Sequence, residues 1–342
     1  MPKILLKIFL LLLIPIIVSI FTYSSLKSFF FEPVDPKNTE KILVELTPGT
    51  SFRDFCKELA AKGIIKHWRV LDIVSQVKAS DKGIKAGEYE FSPSMSAQKI
   101  LRKLTKGDVI KRVVTIKEGM TIWDVADELD KNNIVAADEF FRLANDKELL
   151  KRVDIEADSF EGYLFPETYH FSGKQTGINV IWRMLEEFHK NWDSKYNDRL
   201  KELGFTLHEI ITLASVIEKE SGQKAEQKTI SSVFYNRLIN GMRLESDPTL
   251  VYGLLDFDGV VLNKHKETDS PYNTYKNAGL PKGPICSPGK TAIEAALYPD
   301  KTEFLFFVAD GNGGHVFSKT LKDHNEAVRN YRQIMSSRQN SN

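Results

Sequence analysis

"VELTPGTSFRDFCKELAAKGII" (residues 44–65) and "VTIKEGMTIWDVADELDKNNIV" (residues 114–135) align without a gap. Gly49 falls on Gly119, Asp54 on Asp124, Glu58 and Leu59 on Glu128 and Leu129, and Ile64 on Ile134. Each copy reads as a strand, a glycine turn and an amphipathic helix. Ser51 and Thr121 stand where a helix N-cap belongs, because a side-chain oxygen there accepts from an otherwise unpaired first-turn N–H. Behind them Phe52, Phe55 and Leu59, and Ile122, Val125 and Leu129, recur at the spacing that gathers them on one helix face. A solenoid needs at least three such units, so two copies predict duplicated βα modules rather than a repeat array. After the first copy, residues 84–108 predict a strand near Glu88–Phe91, a helix over Ser96–Leu104 and a stop at Gly107.

Outward from the repeat, 342 residues are enough for two domains. The chain is 27% charged and 42% hydrophobic, which is the balance of a folded globular protein. Its 47 basic and 46 acidic residues leave a net charge of +1, without the basic excess that nucleic-acid binding draws on. Cys56 and Cys286 lie far apart in different modules and read as two buried thiols, a single bridge being the alternative. Upstream, residues 8–26 form an uncharged run of 19, the length of a membrane-spanning helix. Lys3 and Lys7 precede it, so the positive-inside rule puts the N-terminus in the cytoplasm and the remainder outside the bacterial inner membrane, although Lys27 on the far side weakens the asymmetry. No A-x-A-like cleavage site follows, which favours an uncleaved single-pass anchor over a signal peptide.

The expected organisation is α+β. Residues 1–31 are a cytoplasmic stub and transmembrane helix, and 32–41, "EPVDPKNTEK", a linker. Residues 42–112 form a small α/β subdomain and 113–342 a larger mixed α+β domain. The small module resembles the LysM fold, which binds glycan; a spacer that only positions the larger domain would carry the same pattern. In the larger domain, "SFEGYLFPETYHFSG" (159–173) is rich in aromatics, which serve either as core or as stacking faces for sugar rings. A helix is predicted over 178–192 and another over 290–297. A hairpin is predicted from 304–308 through "DGNGG" to 315–318, and a last helix over 321–336 with Thr320 and Asp323 at its start.

"TLHEIITLASVIEKESG" (206–222) poses the functional question. Thr206 and Glu209 form a capping box, and Gly222 is the expected stop. Leu207, Ile210, Ile211, Ala214 and Ile217 make one apolar stripe that Ser221 continues. Glu218 points along it, Glu220 well away from its middle and Lys219 nearly opposite. An ionised carboxylate against apolar surface is costly unless it pairs or takes a proton. Desolvation raises its pKa, which is how an acid catalyst for glycoside cleavage is made. The competing reading is a last-turn carboxylate that emerges into solvent or pairs with an arginine.

"EGYLFPETY", "LASVIEKESG", "VFYNRLINGMRLESDPTLVYG", "SPYNTYKNAGLPKGPICSPG" and "FLFFVADGNGGHVFSKTLKDHN" follow in that order. Together they closely resemble the endolytic murein transglycosylase (YceG-like) family over nearly the whole chain. The resemblance implies a single N-terminal anchor, a LysM-like subdomain and a catalytic domain in which Glu218 aligns with the catalytic glutamate. It implies non-hydrolytic cleavage of the MurNAc–GlcNAc β-1,4 bond of nascent glycan strands, giving 1,6-anhydro-MurNAc ends and terminating elongation. It implies no cofactor or metal, peptidoglycan as substrate, and synthases of the penicillin-binding class as partners. Glu245 stands where the family commonly has Gln.

Residue type marks Asn236, Glu245, Asp247, Thr249, Tyr272, Asn273, Thr274 and Tyr275 as candidates for the substrate groove, since amides, hydroxyls and aromatic rings recognise sugars. Arg237 is a candidate counter-ion for a carboxylate. His315 and His324 with Asp310 or Asp323 fit no zinc signature. Two other functions stay open on the residues alone. One is a muramidase-type hydrolase in which Glu245 or Asp247 activates water opposite Glu218. The other is a non-catalytic, membrane-tethered glycan-binding scaffold.

Overall fold

The structure, a computed structural model, describes residues 13, 16, 19, 21–47, 49–77, 84–254 and 261–339. The expected anchor over 8–26 lies largely outside them. Residues 21–31 are helical, and no helix among the described residues is long and apolar enough to cross a membrane. The fold is mixed α+β with three small two-stranded sheets among the described residues. It divides into two compact units, residues 1–112 with 170–174, and residues 113–169 with 175–342.

In the first unit, strands β1 (Ile42–Leu46) and β2 (Gly87–Phe91) pair antiparallel, with Val44 opposite Tyr89. Alternation turns Val44 and Leu46 inward and leaves Glu45 outside. Helix α1 (Phe52–Ala61) begins at Ser51, whose hydroxyl accepts from the Asp54 N–H, and buries Phe55, Cys56 and Leu59. Helix α2 is Trp68–Val77 and helix α3 Ala97–Lys106; the latter is capped by Ser96 and stopped by Gly107 in the left-handed conformation. Their apolar faces close one core around Leu59, Leu71, Tyr89, Phe91, Ile100 and Leu104.

Strands β3 (Lys111–Thr115) and β4 (Thr168–Ser172) pair with each other. In the second unit, helix α4 (Ile122–Lys131) repeats α1 closely. Thr121 and Asp124 form a full capping box, and Val125, Ala126 and Leu129 are buried where Phe55, Cys56 and Leu59 are. Gly49 and Gly119 both take positive φ at the turn before the helix (90° and 79°). The helix exit repeats too, with Gly63 and Asn133 both left-handed. Phe160, Tyr163, Phe165, Tyr169 and Phe171 of the aromatic segment are all buried, so these rings are core and not a stacking platform.

Helices α5 (Ala137–Ala144), α6 (Lys147–Arg152), α7 (Gly177–Asn191) and α8 (Lys195–Leu203) lead to α9 (Leu207–Glu220). Helices α10 (Gln227–Ile239), α11 (Pro248–Val251), α12 (Asn263–Lys266) and α13 (Lys290–Leu297) follow. The hairpin β5 (Phe306–Ala309) and β6 (His315–Ser318) precedes the last helix, α14 (Leu321–Gln339).

Helix α9 departs from its expected one-sided burial. Every residue from Ile210 to Ile217 is buried, because α9 packs against α13, α10 and α11. It starts on the capping box of Thr206 and Glu209 as expected, but its C-cap is Ser221 in extended conformation. Gly222 has no left-handed backbone. A Cβ there would meet the Gly313 carbonyl at 3.0 Å, so close approach requires this glycine, not helix termination. Cys56 and Cys286 are free thiols, both buried.

Candidate active site

The last turn of α9 carries two carboxyls into two environments. Both belong to the second unit. Because the helix is surrounded, its chemistry is set by what each side meets and not by one apolar stripe.

Glu218 is part-buried, and its Oε2 accepts from the Gly289 N–H at 3.0 Å. Gly289 is the N-cap of α13, so this donor belongs to the positive end of a helix. The loop before it is fastened to α9: Ser215 Oγ accepts from the Ile285 N–H (3.0 Å), and Cys286 Sγ donates to the Ser215 carbonyl (3.3 Å). The same loop is fastened to the glycine turn of the second repeat copy. Gly119 N–H donates to Ser287 O (2.9 Å) and Ser287 N–H to Met120 O (2.8 Å). Lys219 Nζ donates to the Gly119 carbonyl (3.2 Å), and Lys224, on a short 3₁₀ turn (Lys224–Glu226), pairs with Glu118 at 2.5 Å. Burial pushes the Glu218 carboxyl above the ordinary carboxylate range. The Gly289 N–H opposes this, Glu118 adds to it, and Lys224 and Lys219 oppose it.

Glu220, expected to point well away from the middle of the apolar stripe, accepts from Ser246 Oγ at 2.5 Å. Burial pushes its carboxyl up to about 7; Asp247 adds to the rise, and the Ser246 bond, His315 and Arg237 reduce it. It borders a cleft of about 360 Å³ lined also by Arg237, Leu244, Glu245, Asp247, Tyr275, Phe307, His315 and His324. Its folded pKa lies above the ordinary value of 4.5, so the native state keeps a proton that the unfolded chain has released. That stability is whole below pH 4.5 and is lost as pH rises toward 7. Glu220→Gln keeps an acceptor for Ser246 and cannot ionise. Thermal melting should show the variant gaining on the wild type between pH 5 and pH 8, by about 1–3 kcal/mol at the upper end. A gap that does not change with pH would show that Glu220 titrates normally.

The candidate groove residues divide by role. Glu245, Asp247 and Tyr275 gather at the Glu220 cleft. Tyr275 OH donates to Asp247 (2.7 Å), and Glu245, at a left-handed φ of 52°, pairs with Arg237 at 3.3 Å. Arg237 is therefore the counter-ion of Glu245, and it also donates to the Leu305 and Leu244 carbonyls. The Asn236 amide is spent on the Thr302 and Phe304 carbonyls. Thr249, Asn273 and Thr274 are buried: Thr249 and Thr274 share a hydroxyl contact (2.8 Å), and Asn273 donates to the Lys266 and Thr268 carbonyls. These four hold loops in place. Tyr272 packs against Tyr252, ring centroids 4.6 Å apart. The residues around Glu218 are Gly289, Glu118, Lys219 and Lys224, none of which sequence reasoning selected. His315 pairs with Glu226 at 2.8 Å, and among the described residues no three His, Cys, Asp or Glu side chains are grouped to hold a metal.

A third carboxyl, Glu161, is 2% exposed. Its Oε2 accepts from the Ile122 N–H and from Tyr252 OH, both at 2.9 Å, and burial pushes it up to about 7. It satisfies a first-turn donor of α4 and so fixes the helix that follows the Gly119 turn.

The YceG-like family model matches residues 44–330. An endolytic murein transglycosylase of Bacillus subtilis is 35% identical over 315 residues, covering 88% of this chain and 87% of that protein. Endolytic murein transglycosylases of two Streptococcus pneumoniae strains are 30% identical over 330 residues, and the chain spans 59% of their length. The crystal structure of a yceG-like protein from Listeria monocytogenes superposes with a TM-score of 0.58 at 35% identity, covering 84% of this chain and 98% of that one.

Proposed function

The chain belongs to the YceG-like family, and on that footing we propose that it is an endolytic lytic transglycosylase of murein with Glu218 as its acid. The observation that carries the role of Glu218 is a part-buried carboxyl, raised by burial, that among the described residues takes one hydrogen bond, from the Gly289 N–H to Oε2, and so keeps Oε1 for substrate. The bond cut is the MurNAc–GlcNAc β-1,4 linkage. Glu218 protonates the glycosidic oxygen as that bond breaks. The carboxylate so formed takes the proton from the C6 hydroxyl of MurNAc, whose oxygen closes onto the anomeric carbon. The 1,6-anhydro end results, and Glu218 is reprotonated. The nucleophile belongs to the substrate and has a high effective concentration, so neither water nor a second nucleophilic carboxylate is needed. The Gly289 N–H, at a helix start, steadies the carboxylate in the middle of the cycle.

The hydrolase alternative placed Glu245 or Asp247 opposite Glu218. Their bonds to Arg237 and Tyr275 in the Glu220 cleft speak for a binding or loop-holding role instead. The first unit is a LysM-like glycan-binding module. The N-terminal segment anchors the chain with its catalytic unit outside the inner membrane. The partners are penicillin-binding synthases, whose growing strands the enzyme ends.

Product mass tests the reaction. The full-length chain in detergent, given uncrosslinked murein strands, should release internal fragments ending in anhydro-MurNAc, one water lighter than hydrolytic fragments. Reducing ends would make it a hydrolase.

A further inference from the structure

Two carboxyls flank Gly289. Glu218 Oε2 accepts its N–H, and Glu118 Oε1 occupies the place where a Cβ on that glycine would lie. Glu118 is held there from two directions. Lys224 Nζ pairs with its Oε2 at 2.5 Å, and Lys219 Nζ binds the carbonyl of the next residue, Gly119. The turn itself closes on the acid, since a Cβ on Gly119 would meet Glu218 Cγ at 4.0 Å. The Glu118 side chain is 33% exposed and that of Lys224 57%, so the pair forms a rim open to water beside the part-buried acid.

Resting on the reading of Glu218 as the acid, we propose that Glu118 is a positioning residue whose fixed negative charge, held by Lys224, keeps the catalytic proton on Glu218. The proton leaves Glu218 only when the glycosidic oxygen takes it, and the same charge favours its return when the C6 hydroxyl attacks. Beside the buried Cys286 thiol, four charged or polar groups act on Glu218 among the described residues. Glu118 comes from the turn before α4, Lys224 from the 3₁₀ turn, Lys219 from α9 itself and the Gly289 N–H from the start of α13. Glu118 acts against the three others, and this opposition makes the role separable from a structural one.

The test is kcat/KM against pH on uncrosslinked murein strands, with the full-length chain in detergent. Protonated Glu218 is the active form, so activity falls on an alkaline limb as it ionises. Glu118→Gln should move that limb to lower pH by about half a unit or more, screening at the rim limiting the shift. Lys224→Met should move it to higher pH. The carbon-13 titration of the Glu218 carboxyl, without substrate, should show the same two opposite shifts. Thermal melting checks that the variants are folded. An unmoved limb in Glu118→Gln, or a same-direction shift in both variants, overturns the proposal. Glu218→Gln keeps the two readings apart: activity in that variant removes the acid itself, whereas its inactivity beside an unmoved limb in Glu118→Gln removes only the role of Glu118.

Discussion

Glu218→Gln should end the production of anhydro-ended fragments. Gln has the shape of Glu and still offers an oxygen to the Gly289 N–H, so the loop that meets α9 stays in place. What the variant lacks is a proton to give and a carboxylate to receive one. A positioned acid or base contributes about 10²–10⁴-fold to a rate, and in the proposed mechanism one group serves both half-reactions, so a loss of at least about a thousandfold is expected. The measurement is mass spectrometry of fragments from uncrosslinked strands, with melting temperature beside it. Stability should be unchanged or higher at neutral pH, because a carboxyl raised by burial is removed. If the variant keeps a tenth or more of wild-type activity, Glu218 is not the acid, and Glu220 becomes the next carboxyl to replace.

The largest expected effect on stability is at Gly162. Its φ is +84°, and a Cβ there would lie 2.6 and 2.7 Å from Pro284 carbons and 2.8 Å from Ile211 Cγ2. Pro284 opens the loop that carries Ile285, Cys286 and Gly289, and Ile211 is in α9. The closeness of that loop to the helix therefore depends on a missing side chain. Gly162→Ala combines overpacking, about 1–3 kcal/mol, with a left-handed alanine, about 1–2 kcal/mol. In a unit of this size each kcal/mol lowers Tm by about 2–4 °C, so a fall of roughly 5–15 °C is expected. Gly204→Ala is the control: its φ is +71°, but nothing lies within 4 Å of the added carbon, so only the backbone cost applies. Equal Tm losses in the two variants would show that packing at Gly162 is loose. Catalysis should also suffer in Gly162→Ala at temperatures where it is folded, because displacing the loop moves the Gly289 N–H away from Glu218.

The duplicated βα modules were readable in the sequence down to their caps, because capping and helical spacing are local rules. Ser51, Thr121, Thr206 and Gly107 do what their positions require. The environment of α9 was not readable. A helix buried on all sides has no stripe, and the phase that singled out Glu218 set Glu220 aside although both are part-buried. Nor could spacing show that Asn236, Thr249, Asn273 and Thr274 spend their polar groups on loops, since amides and hydroxyls that fold a loop look like those that bind a sugar. Glu118, Lys224 and Gly289 come from three segments, and only the fold brings them to one carboxyl. Nor does the repeat single out Glu118: it falls opposite Pro48, but the two copies differ at most of their positions.

The two turn glycines differ in what a substitution would disturb. In the first copy the turn glycine, Gly49, has open space where a Cβ would project; in the second, Gly119 faces Glu218 and Lys219. Both turns answer to folding, but only the second also borders the Glu218 side chain. A side chain at Gly49 would bear only the cost of its positive φ, whereas one at Gly119 would also touch Glu218 and Lys219. One turn geometry thus answers to the backbone alone in the first copy and to a neighbouring carboxyl as well in the second.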